Sequence, residues 1–168
     1  MGQRNILISV RPKWCELIAS GKKTAEIRKT KPSIKPPFLC YIYQAKQKNG
    51  DWSSNNGRVI GEFVCDAIYE LAPLNHYPGP DNAAEVDSCL TREEIVSYCK
   101  GKGYAWHISD VKIYEKSIPL ASFTMVCDSC ILRKCSQPED KENCSLRKVW
   151  KAPQSWYYVE SLKSHKFG

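Results

Sequence analysis

A chain of 168 residues with 42% apolar side chains and five Trp can bury one proper core, which excludes a disordered polymer. No apolar run approaches the roughly 20 residues of a membrane helix, and Met1-Gly2-Gln3-Arg4-Asn5-Ile6 has no signal-peptide core and no Ser or Thr at its sixth place for myristoylation. The net charge of +7 is uneven: residues 1–50 hold 11 Lys/Arg and 2 Asp/Glu, residues 51–126 hold 6 and 11, and residues 127–168 hold 8 and 5. A basic excess concentrated at one end favours a polyanion, nucleic acid first, with a solvated basic face as the competing reading. The expected address is the cytoplasm, with no membrane and no protein partner predicted.

Asn5-Ile6-Leu7-Ile8-Ser9-Val10 reads as a strand. Pro12 suits the first turn of a helix, Trp14, Leu17 and Ile18 follow at i, i+3, i+4, and Gly21 supplies a left-handed stop. Thr24-Ala25-Glu26-Ile27-Arg28-Lys29 then alternates, so a strand would show Thr24, Glu26 and Arg28 on one side. Lys31-Pro32 through Pro36-Pro37 is a stiff connector, Phe38 to Lys46 a strand, and Asp51–Gly57 a hairpin tip. Arg58 to Leu71 is a long strand in which Gly61 predicts a bulge or bend. Residues 72–90, with three Pro, read as a long loop or lid. Thr91-Arg92-Glu93-Glu94 is a capping box for a helix to about Cys99 or Lys100, ended by Gly101 and Gly103. Tyr104 to Glu115 and Ser155 to Val159 are the remaining strands.

Five or six strands with two short helices between them argue against a doubly wound sheet. The expected class is mainly β with short helices (α+β): a small, nearly closed β-barrel forming a single domain over 1–168.

Nine Cys is an odd number, with no secretion signal, so a disulfide framework is not expected. Isolated Cys15, Cys40 and Cys65 read as small hydrophobes. Cys127, Cys130, Cys135 and Cys144 lie within 18 residues, a spacing that lets thiolates converge on one tetrahedral metal. Structural zinc is the leading reading, ahead of an iron–sulfur cluster or unligated thiols. These residues define a Cys-rich metal-binding insertion at about 124–150. Its basic flanks (Arg133, Lys134, Arg147, Lys148, Lys151) offer a second nucleic-acid contact.

Lys23 sits where the helix gives way to the strand that carries Glu26 and Arg28. Arg offers bidentate recognition of phosphate or a base edge, Glu can orient cations or accept a proton, and Lys can contact phosphate or act as a nucleophile. Salt pairing on an exposed face is the competing reading. Gly21-Lys22-Lys23-Thr24-Ala25-Glu26-Ile27-Arg28 matches Gly-x-Lys-x-x-Glu-x-Arg, the signature of the ASCH domain family. Ile8-Ser9-Val10-Arg11-Pro12-Lys13-Trp14 and Tyr104-Ala105-Trp106-His107-Ile108, with Pro119 beyond, extend the match. The chain resembles the phage and bacterial branch over roughly residues 5–123 and the final strand.

The resemblance implies a PUA-like barrel that binds RNA or other nucleic acid in a cleft, with Lys23, Glu26 and Arg28 as ligand residues. Arg11, Lys13, Trp14, Tyr104 and Trp106 are added here as rim and stacking candidates, since bases stack on aromatic faces. For Trp14 and Trp106 a place in the core competes. Some bacterial members that this chain resembles are amidohydrolases acting on acetylated cytidine, with a catalytic Thr where this chain has Glu26, so that activity does not carry over directly. The enzyme alternative is a hydrolase of a modified nucleoside or RNA with Lys23, Thr24 and Glu26 as catalytic groups. His107 or His76 would be its general base.

Overall fold

The computed structural model describes residues 4–47, 55–71, 77–78, 82–126 and 147–162. Six strands, β1 (Arg4–Val10), β2 (Ala25–Arg28), β3 (Phe38–Gln44), β4 (Val59–Glu70), β5 (Tyr104–Ile118) and β6 (Trp156–Glu160), form one sheet in the order β2-β5-β4-β3-β1-β6. Only β1 and β3 run parallel, because α1 (Pro12–Ala19) and the β2 excursion carry the chain back to the starting end between them.

The sheet rolls up. In a flat sheet β5 and β6 would stand about 19 Å apart, four spacings of roughly 4.8 Å. Yet the rings of Trp106 on β5 and Trp156 on β6 lie 5.7 Å apart across the interior. The two edges meet through side chains: Trp156 Nε1 donates to Thr30 Oγ1 at 3.1 Å, and the Ser33 N–H donates to the Tyr158 hydroxyl at 2.8 Å. Inside the roll lie Ile6, Ile8 and Val10 of β1, Phe38, Cys40 and Ile42 of β3, Phe63 and Cys65 of β4, and Trp106 and Ile108 of β5. Their alternation along each strand sets the inner face, while Leu7, Tyr41, Tyr43 and Val59 between them pack on the other face with Phe123, Val149 and Val159.

Gly61 lies where the β4–β5 register shifts, and a Cβ there would meet the Lys112 carbonyl at 2.4 Å, so only glycine lets the two backbones approach. Cys15, Cys40 and Cys65 are buried thiols, as their isolation implied. Burial pushes Cys65 up to about 12, with Asp66 adding to it.

The region read as a loop or lid holds a helix, α2 (Ala83–Ser88). Its Ala84 packs with Ile95 of α3 (Arg92–Cys99) over Ala25, Ile27 and Ala105, covering the outer face of β2 and β5. Six residues give too little periodicity to distinguish such a helix from a loop. The capping box of α3 forms, with Thr91 Oγ1 accepting from the Glu94 N–H and Glu94 Oε2 from the Thr91 N–H. The expected metal ligands Cys127, Cys130, Cys135 and Cys144 lie outside the described residues, as does His76.

Candidate functional site

Gly21, at φ +72°, closes α1 with a double hydrogen bond, its own N–H to the Ile18 carbonyl and the Lys22 N–H to that of Leu17. This stop reverses the chain, so Lys23 turns inward over the end of the helix and β2 starts two residues later. Thr24 is held by its backbone, its N–H donating to Asp87 O and its carbonyl accepting from the Ile108 N–H. β2 then pairs with β5 so that Glu26 stands opposite Trp106 and Arg28 opposite Tyr104, all on the interior face.

The result is an ion cluster sunk in the protein rather than pairing on an exposed face. Lys23, Glu26 and Arg28 are only 2%, 6% and 7% exposed. Glu26 holds both cations, with Oε2 3.3 Å from Lys23 Nζ and Oε1 2.9 Å from Arg28 Nη2. Lys23 Nζ also donates to the carbonyl of Ser88, the last residue of α2, at 2.6 Å, and lies 5.1 Å from the centre of the Trp14 ring. Arg28 Nη2 donates to Ser9 O of β1 at 2.6 Å, tying one sheet edge to a strand near the other. With two cations and one carboxylate, the cluster carries one excess positive charge in a setting where water screens little. Burial, with the negative charges of Glu26 and Glu16 adding to it, pushes the Cys15 thiol up to about 12. Cys40 is pushed up by burial and by Cys65, against the pull of Arg28.

The remaining candidates divide. Lys13 is exposed with its ammonium 4.6 Å from the Trp14 ring, so this half-buried indole lies between Lys13 and Lys23. Arg11 is exposed at the start of α1. Trp106 is fully buried and Tyr104 nearly so, and neither offers a free face to a base. His107 lies opposite Ala25 and therefore on the outer face, where its Nδ1 is 2.6 Å from Asp66 Oδ1. It is separated from the cluster by the sheet. Burial raises the Asp66 carboxyl, but the hydrogen bond and charge of His107 outweigh it and leave it below its usual value.

Two partners were invisible beforehand: the carbonyls of Ser9 and Ser88. Every residue carries a carbonyl, so no residue type signals them. Nor did residue types show that polar atoms without partners gather here. Six buried side-chain N or O atoms among the described residues have no hydrogen bond. Four of them belong to residues of this cluster or directly beside it: Glu26 Oε2, held only by its ion contact with Lys23, and Arg28 Nε, Ser88 Oγ and Trp106 Nε1, which have no partner. Among the described residues no group of three or more His, Cys, Asp or Glu could hold a metal, and no helix is long and apolar enough to cross a membrane.

No curated protein matches the chain. Among solved structures, the ASCH protein of Zymomonas mobilis is similar with a TM-score of 0.60 at 19% identity, over 94% of this chain and 88% of that one. A Tyr-to-Phe variant of that protein gives 0.57 at 20% identity over 94% and 91%, and a Ser-to-Ala variant 0.58 at 20% over 96% and 92%. At that identity the likeness concerns the fold. The model of the ASCH domain matches residues 8–164, nearly the whole chain. With the signature folded into one buried cluster on a rolled six-stranded sheet, this chain belongs to the ASCH domain family.

Proposed function

We propose that this protein is a nucleic-acid-binding ASCH domain, RNA first, with Lys23, Glu26 and Arg28 as its ligand site. The supporting observation is the gathering of three unpartnered buried polar atoms, Arg28 Nε, Ser88 Oγ and Trp106 Nε1, around that cluster. Each such atom costs about 1–3 kcal/mol, and an ion cluster kept only for stability does no better than apolar side chains. A ligand presenting donors and acceptors supplies the missing partners, and an anionic one also meets the excess positive charge. Exposed Arg11 and Lys13 extend that charge toward solvent.

Titration of a single-stranded RNA across salt tests this reading. Affinity should fall steeply with salt, because phosphate contacts release counterions, and should be lost in Lys23→Met and Arg28→Met. Absent binding, or binding flat with salt, overturns it. The hydrolase reading is tested in the same preparations with acetylated cytidine and RNA as substrates. Turnover abolished by Lys23→Ala would put an enzyme in place of the binding module.

The metal belongs to this proposal as well. One zinc held by Cys127, Cys130, Cys135 and Cys144 would staple a polar segment that could not fold otherwise. Elemental analysis should find about one zinc per chain, and an iron chromophore or no metal would reject it.

A further inference from the structure

Arg28 is the last residue of β2, and the chain leaves the sheet edge through Lys29, Thr30 and Lys31, all exposed, with Thr30 meeting Trp156 of β6. Lys29 Nζ lies 5.0 Å from the centre of the Tyr98 ring on α3, and Lys31 Nζ 5.2 Å from that of Tyr104. Lys102, just before β5, reaches the same Tyr104 ring at 5.7 Å. Glu70 pairs with Lys102 at 3.2 Å, whereas Lys29 and Lys31 have no carboxylate within ion-pair distance among the described residues. Three ammoniums therefore line this edge against one carboxylate.

Lysines on an edge strand have an ordinary use, repelling another sheet. A lysine in that role projects away from the edge. These fold back onto tyrosine rings, and Lys102 is not on the edge strand at all. Cation–π contact holds each ammonium at a set place, which lowers the entropy lost when a chain of anions settles on them. The row also begins at Arg28, whose guanidinium is in the buried cluster.

We infer that the Lys29–Lys31–Lys102 edge carries the sugar–phosphate backbone of a single strand whose one nucleotide is seated at the Lys23/Glu26/Arg28 cluster. The ligand is accordingly a strand of several nucleotides and not a free nucleoside. The inference rests on the nucleic-acid reading above. It is favoured over an acidic protein partner because the edge is continuous with that site.

The test compares oligoribonucleotides of about one to nine residues, and polyglutamate, on the wild-type chain, K29A/K31A/K102A and K29R/K31R/K102R across salt. Wild-type affinity should rise with length. The alanine variant should bind the longest strand about 10- to 100-fold more weakly at physiological salt. Its log–log salt slope should be shallower by about 2, since three phosphate contacts on a single strand contribute about 0.7 each. It should bind the mononucleotide as wild type does, and the arginine variant should keep both affinity and slope. If the alanine variant binds the long strand like wild type while wild type itself binds RNA, the edge assignment is wrong and the buried site stands. Polyglutamate bound as tightly as RNA, with the same loss on substitution, would assign the edge to an acidic protein instead. If wild type binds no oligonucleotide, the nucleic-acid reading fails and the edge falls with it.

Discussion

Glu26→Gln isolates the question of what the buried cluster is for. The change keeps shape but removes the negative charge between two cations that are 2% and 7% exposed, and turns one of the two accepting oxygens into an NH2 donor facing a cation. Lys23 keeps its bond to Ser88 O and Arg28 its bond to Ser9 O, both at 2.6 Å, but neither keeps a countercharge. Removing one partner of a buried ion pair costs about 3–5 kcal/mol, because the charge left behind remains desolvated. In a chain of this size each kcal/mol moves the melting temperature by about 2–4 °C, so the melt should fall by about 6–20 °C. The assay is urea unfolding with a thermal melt, and the urea slope should stay constant. The companion variant Lys23→Met/Glu26→Leu/Arg28→Met removes every charge at once. It leaves two carbonyls without donors, at about 1 kcal/mol each, and gains well-packed apolar contact in return. Its stability should lie within about 2 kcal/mol of wild type while RNA binding disappears. A loss below about 1 kcal/mol in Glu26→Gln would show that water reaches the cations and would refute the buried-cluster reasoning. An all-apolar variant that still bound RNA would show that the ligand sits elsewhere.

Glycine changes should grade by what a Cβ meets. Gly21→Ala, with open space at φ +72°, should cost only the left-handed backbone term of about 1–2 kcal/mol in urea unfolding. Gly61→Ala drives a Cβ to 2.4 Å from a backbone oxygen and should abolish soluble folded protein or cost several-fold more. Thr91→Ala removes the α3 cap and should cost about 1 kcal/mol, read in the same assay. The buried thiols predict a pH limit: Cys15 and Cys65 are raised from 9.0 to about 12, so the folded chain keeps protons that the unfolded chain releases. Their contribution to stability should be complete below about pH 9 and decline from there toward pH 12, and Cys15→Ala/Cys65→Ala should flatten that decline. At pH 8 neither thiol should react with a disulfide reagent until the protein unfolds.

Local chemistry written in the sequence was enough for several elements. Pro12 and Gly21 bound α1, the Thr91–Glu94 box starts α3, and Gly61 marks the β4 irregularity, because each depends on backbone preferences within a few residues. Strand-type composition, turn residues and alternation identified five of the six strands nearly to their ends, and the short β2 as part of a longer run. The Gly-x-Lys-x-x-Glu-x-Arg spacing named the family and the three residues that form the buried ion cluster. What alternation could not tell is which face of β2 meets water. Thr24, Glu26 and Arg28 read as one polar side, with exposed salt pairing the competing reading, and the rolled sheet places Glu26 and Arg28 inside, opposite Trp106 and Tyr104. Only tertiary structure decides this, since the register with β5, whose partners lie 76 to 82 residues away (Arg28 with Tyr104, Ala25 with His107), sets the side on which each residue lands. For the same reason Trp106 reads equally well as core or stacking residue until the roll brings Trp156 against it. His107, one residue along the strand, falls on the other side of the sheet. Tertiary closure also supplied the carbonyls of Ser9 and Ser88 and gathered the unpartnered atoms, and with them the difference between a surface salt bridge and a buried charged cluster. Spacing along the chain determined which side chains could meet; the curvature of the sheet determined that they meet out of water.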